Sequence, residues 1–259
     1  MTATPSHRLK LARAEEHLLD LKGLLGPEVG ERKTYPTTEV FETYEGKSGW
    51  CYRITTGYQV PERALILAGE FMFNARSALD HLLCALVPAE DKRKAQFPIF
   101  TKDPLAVDAS GKPLHRNAAG LWRRHTDGVP QAALAVLHQL QPCARAAHHR
   151  KAAEDHVFAI LNILQNADKH CQLMMIPDGL RRCQLIVNGE IDRGFTAVMK
   201  NGAPIYRSKT KMQVEIEGTL AVAVGKRMDR LYPLPAIFDG ILKFITDEAL
   251  PPLEKLLPR

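Results

Sequence analysis

Between Pro61 and Pro88 the sequence reads as one long helix. Proline is tolerated in the first helical turn and ends a helix at the residue before it. The segment is therefore predicted helical over 61–87. Phe71, Ala75, Leu79, Leu82 and Leu86 recur on one face of it at helical spacing. A second amphipathic run is predicted from about 150 to about 175, with Val157, Ile160, Leu161 and Leu164 on its apolar side. A first helix opens at Thr4-Pro5 and stops at Gly26-Pro27. Shorter helices are predicted at 114–125 and 130–141, and a last one from 235 to about 257. Pro251-Pro252 should break or kink that last helix.

Two stretches interrupt this helical texture. Residues 40–44 and 50–56 read as strands around the turn-like Gly46-Lys47-Ser48-Gly49. From Leu180 onward, 183–188, 195–199, 205–207, 212–217 and 220–224 read as strands, and Asn201-Gly202 is a hairpin signal. The fold class is thus α+β, mainly α: a helical bundle with an early β-hairpin and a late small antiparallel sheet. Residues 1–175 and 233–259 are expected to form the bundle, with the hairpin at about 38–57 inside it; residues 176–232 form a β insertion.

Hydrophobic residues at 45% and charged residues at 25% exclude wholesale disorder, a collagen-like repeat and a multi-span membrane protein. No stretch approaches the ~20 apolar residues of a spanning helix, and MTATPSHRLK holds no apolar leader. The five cysteines form no C-x-x-C pair, which fits reduced thiols and a cytoplasmic setting. A net charge of +6 favours anionic partners, nucleic acid included, or is a solvated surface with a mild excess of one sign. Lys200, Arg207, Lys209 and Lys211 suit RNA phosphates, or protect an edge strand. Aromatic and basic residues do not interleave in that part of the sequence.

All ten histidines lie at or before His170, so histidine chemistry would belong to the helical part. On the long helix Glu70, Asn74, Ser77 and His81 fall within an arc of about 60° beside the apolar face. Arg76 and Asp80 stand at i and i+4 on a neighbouring strip, where an ion pair forms. The second amphipathic run has a polar strip of its own, Asp155, Asn162, Asn166 and His170, with Lys169 at its edge. Two such helices packed together would enclose a polar cleft, and such clefts often mark sites.

Arg76-Ser-Ala-Leu-Asp-His81 has the form R-x4-H and resembles the signature of the HEPN superfamily. A longer set of features also resembles an uncharacterised bacterial family. These are RSALDHL, Phe97-Pro-Ile-Phe100, Leu140-Gln141-Pro142 and Asn166-Ala-Asp168-Lys169-His170, which span about two fifths of the chain. The HEPN resemblance implies a helical bundle, and either a metal-independent endoribonuclease or a non-catalytic module that binds nucleotides or RNA. In the ribonuclease, His81 would act as general base on the ribose 2′-hydroxyl or as acid on the leaving 5′-oxygen. Arg76 would neutralise the scissile phosphate. The products would be a 2′,3′-cyclic phosphate and a 5′-hydroxyl, with no cofactor. On an ideal helix Arg76 and His81 are about 140° apart, and the resemblance implies that a homodimer brings them together. Glu70, Asn74, Ser77, Asp80, Asn166, Asp168, Lys169 and His170 would support the site or bind substrate. Toxin and phage-defence roles are common among such enzymes, with an antitoxin or defence partner of unknown identity; no membrane partner is expected.

The same residues admit plainer roles. Arg76–Asp80 is an intrahelical ion pair, His81 a satisfied interfacial histidine, and Lys169 and His170 complement a helix dipole. A metal-dependent bundle enzyme resembling the DinB group would draw on His81, His156 and His170 with Glu70 or Asp155. His156 and His170 differ in height by about 21 Å along one helix, so one ion does not reach both.

Overall fold

Helical and strand-forming residues sort into two units, and each unit draws on separated stretches of chain. The structure, a computed structural model, describes residues 4–25, 38–56, 60–88, 95–149, 152–170, 172–195, 202–227 and 230–258. One unit holds Met1–Leu19, Ile66–Gln172 and Ala236–Arg259; the other holds Asp20–Leu65 and Leu173–Pro235. The class is α+β, with helices and small antiparallel sheets. Among the described residues no helix is long and apolar enough to cross a membrane.

The helical unit takes most of α1 (Ser6–Leu25) and α2 (Glu62–Leu86), then α3 (Arg116–His125), α4 (Gln131–Gln139), α5 (Pro142–His149), α6 (Val157–Lys169), α7 (Ala236–Phe244) and α8 (Leu250–Glu254). Its centre is aromatic. Phe71 of α2 stacks on Phe238 of α7 with ring centroids 4.2 Å apart, and Phe158 of α6 meets Phe97 and Phe244 edge-on at 5.5 and 4.8 Å. All of Phe71, Leu79, Leu82, Phe97, Phe158 and Phe238 are fully buried.

Two helix expectations are corrected. The run expected from 150 to 175 is shorter, because the His156 ring nitrogen Nδ1 accepts the Phe158 N–H and caps α6 there, and β3 takes over at Met174. A polar side chain that satisfies a free amide defines a helix start better than apolar spacing does. The last helix is not broken at Pro251-Pro252. The chain stays helical from Ala236 to Glu254, and the departure from α geometry next to the prolines is a π turn over Ile245–Ala249 directly before α8.

The second unit contains two antiparallel sheets. One has the order β1-β2-β5, from β1 (Thr38–Tyr44), β2 (Trp50–Thr56) and β5 (Pro204–Ser208). The other has the order β4-β3-β6-β7, from β3 (Met174–Val187), β4 (Glu190–Phe195), β6 (Val214–Arg227) and β7 (Arg230–Leu234). Tyr52, Ile54, Leu185, Ile205, Val214 and Ile216 form its buried core. The hairpin expected inside the bundle belongs here instead. One edge of β2 is paired by β1, and the other is satisfied by β5, with Trp50 opposite Ser208 and Tyr52 opposite Tyr206. The separate strands expected at 212–217 and 220–224 are one strand, β6. Most of the strand expected at 195–199, and Asn201 of the hairpin signal, lie outside the described residues; Gly202 has φ 79° and donates its N–H to the Ile54 carbonyl at 2.7 Å.

Candidate functional site

The R-x4-H segment lies in the middle of α2, and its arginine points inward. Arg76 is 5% exposed. Its Nη2 donates to the Phe97 carbonyl at 2.5 Å, while the Phe97 N–H donates to Asp80 Oδ1 at 2.8 Å. Arg76 and Asp80 are 3.4 Å apart. An i,i+4 ion pair therefore clasps both backbone groups of one residue in a segment that has no helix or strand partner of its own. The next residues are held in the same way. Gln141 donates from Nε2 to the carbonyls of Pro98 and Leu137, at 3.0 and 2.9 Å, and its Oε1 accepts the Phe100 N–H at 2.9 Å. The RSALD, FPIF and LQP features are thus three parts of one backbone-anchoring cluster.

Charge in this cluster is poorly solvated. Burial pulls the Arg76 pKa below its ordinary value, and Asp80 opposes that shift. Arg76 Nη1 is buried and has no hydrogen-bond partner. The His125 imidazole is held below its usual pKa by burial and by the charge of Arg76.

The other expected residues fall into separate groups. Glu70 is exposed and pairs with the buried His17 of α1 at 3.2 Å. Asn74 is 8% exposed and donates to the Glu70 carbonyl in its own helix at 2.9 Å. Ser77 and His81 are half-buried. Asn166, Asp168, Lys169 and His170 are exposed at the C-terminal end of α6. Asp168 closes on α2 at Gly69, where a Cβ would lie 2.9 Å from its Oδ1. Since Phe158 meets Phe97 beside Arg76 and Asp80, α6 runs antiparallel to α2. Gly69 and His81 are then about 18 Å apart along α2. The structure brings Arg76, Asp80, Phe97 and His125 together, and does not bring Lys169 or His170 to them. Among the described residues no three His, Cys, Asp or Glu side chains gather as a metal would require, so His81, His156, His170, Glu70 and Asp155 form no such set.

A second cluster, which sequence reasoning missed, lies in the sheet unit. Tyr44 and Trp50 are cross-strand partners at the hairpin end, with ring centroids 5.3 Å apart, and Tyr44 is 63% exposed. Lys211 Nζ sits 5.1 Å from the Trp50 ring centroid and pairs with Glu42. Glu45 accepts from Arg207 and, at 3.1 Å, from Arg53; these two hydrogen bonds hold its carboxyl below the usual range. Lys209 Nζ donates to the Lys47 carbonyl at 2.6 Å. Lys47, Arg53, Arg207, Lys209 and Lys211 thus outnumber the two carboxylates that pair among them, Glu42 and Glu45. The aromatic rings come from residues 44 and 50 and most of the cations from 207 to 211. That separation hid the interleaving, which the β2–β5 pairing creates.

No family model, no curated protein and no solved structure matches this chain.

Proposed function

We propose that this chain is a non-catalytic RNA-binding protein that holds single-stranded RNA on the β1-β2-β5 sheet. The observation that carries this reading is the exposed Tyr44 ring paired with Trp50 beneath Lys211, in an excess of cations. An exposed aromatic ring stacks a base of any sequence, and the surrounding ammonium and guanidinium groups hold its phosphates. The helical unit supports the absence of cleavage. A guanidinium that clasps Phe97 with 5% exposure is not free to meet a scissile phosphate.

One observation favours the ribonuclease as a second reading. His81 is half-buried and forms no hydrogen bond or ion pair with any described residue, so its imidazole is free to act on a substrate. That reading needs a charge-neutralising group other than Arg76, from this chain or from a second copy.

Titration with a fluorescent oligouridine in EDTA tests both. The expected result is saturable, salt-weakened binding with the oligonucleotide intact, quenching of Trp50 fluorescence in a Trp122→Phe background, and affinity at least tenfold lower in Tyr44→Ala. Cleavage to 2′,3′-cyclic phosphate ends that disappears in His81→Ala would replace this reading with the ribonuclease. Binding unaffected by Tyr44→Ala and Lys211→Ala would place the RNA elsewhere.

A further inference from the structure

Neither cluster uses the polar strip of α6. Asn162 lines a cavity of about 860 Å³ in the helical unit, between α6, the segment after Phe97 and the start of α3. One wall is apolar and includes Leu114, Leu121 and Ile163. Leu114 is 57% exposed and Leu121 43%. Beside them Leu105 and Val107 are also more than half exposed, and the Val107–Pro113 bridge ties their loop to the cavity rim. Exposed apolar side chains gathered in this way mark a surface that something covers.

The polar side of the cavity carries Lys102 and Arg116. Neither forms an ion pair or hydrogen bond with any described residue. Two carboxylates also line the cavity. Asp108 is turned to its own loop, where it accepts from the Ser110 N–H, the Ser110 hydroxyl and the Lys112 N–H; these bonds hold it ionised below the usual carboxylate range. Glu154 has an interaction of its own. Asp108 and Glu154 bring the lining close to charge balance, but the two charged side chains in it without a partner among the described residues, Lys102 and Arg116, are both positive.

We propose that this cavity binds an anionic amphiphile, an acyl or alkyl chain with a carboxylate or phosphate head. The chain lies along Leu114, Leu121 and Ile163, and the head meets Arg116 and Lys102. The two head chemistries share one requirement, a compact anion at the end of a flexible chain, and at ~30 Å³ for each small group the volume exceeds what a twelve-carbon chain and its head occupy. This ligand is independent of the RNA proposed for the sheet unit.

Isothermal titration of the full chain with laurate, dodecyl phosphate and dodecylamine, each below its micelle concentration, tests the proposal. Laurate or dodecyl phosphate should bind saturably, and the better of the two identifies the head. Dodecylamine should bind at least tenfold more weakly. Shortening the chain by one methylene should weaken binding about fourfold, the factor equivalent to the transfer of one CH₂. The double variant Lys102→Gln/Arg116→Gln, exposed at both positions and so expected to fold, should lose at least tenfold with RNA binding unchanged. Equal binding of laurate and dodecylamine, no chain-length dependence, or wild-type affinity in the double variant would overturn the proposal. So would binding to vesicles of anionic phospholipid without binding of any single-chain ligand, which would make the face a membrane contact.

Discussion

The two units solve the same backbone problem with different chemistry. In the helical unit Arg76 and Asp80 clasp the N–H and C=O of Phe97. In the sheet unit a single phenol clasps both groups of Met212: the Tyr52 hydroxyl donates to the Met212 carbonyl at 2.9 Å and accepts its N–H at 2.6 Å. Tyr52 is 2% exposed and Arg76 5%, while the Asp80 side chain is 29% exposed. The neutral clasp brings no charge out of water. The ionic clasp does, and it is stable only while both partners are present. The difference predicts that the helical unit is the more fragile to single substitutions at its clasp.

The chain has two tryptophans, Trp50 in the sheet unit and the buried Trp122 in the helical unit. Single Trp→Phe backgrounds therefore give each unit its own fluorescence signal in urea. Asp80→Ala should have the largest effect, about 3–5 kcal/mol on the Trp122 transition, because Arg76 is left buried and unpaired. Replacing both partners, Arg76→Met with Asp80→Leu, should recover part of that loss; no recovery would mean that the Phe97 anchorage itself, not the stranded charge, dominates. Tyr52→Phe should lower the Trp50 transition by about 1–2 kcal/mol, the penalty for leaving the Met212 groups unpaired. If it matches or exceeds Asp80→Ala, the comparison fails.

A pH effect belongs to the helical unit. His125 has a depressed pKa in the fold, so the unfolded chain takes up its proton first as pH falls. The contribution is complete above about pH 6.5, the ordinary histidine value, and is lost as pH falls through the lower folded value. Urea midpoints measured from pH 8 to pH 5 should decline for the Trp122 signal, and His125→Gln should flatten the decline. The smallest effect is expected at Lys211→Ala. Lys211–Glu42 is an exposed pair, which water and salt screen, so the Trp50 midpoint should scarcely move while RNA affinity drops.

Much of the helical unit was legible because its signals are local. Pro61 and Pro88 bracket α2, and Phe71, Leu79 and Leu82 at helical spacing are buried as the pattern requires. The limits of α6 were not legible, since a histidine cap at 156 has no distinctive residue pattern. The motif residues were legible as a group but not in their orientation. An R-x4-H segment reads the same whether its guanidinium faces solvent or the Phe97 carbonyl, and only the 97–100 segment packed against it separates the two. In the sheet unit alternation found most strands, yet strand order depends on which distant edge needs hydrogen bonds. Local pattern therefore places the hairpin with the helices, whereas its β5 partner places it in the sheet unit and creates the ring-and-cation cluster.

The central place of β2 has a consequence for synthesis. Its β5 partner follows by about 150 residues, Trp50 meeting Ser208. At about 5–20 residues per second, a nascent chain carries that hairpin with one edge open for roughly 8–30 s. During that interval Trp50, Tyr52 and Ile54 lack their later neighbours, and the unpaired β2 edge is a template for any other strand that reaches it first.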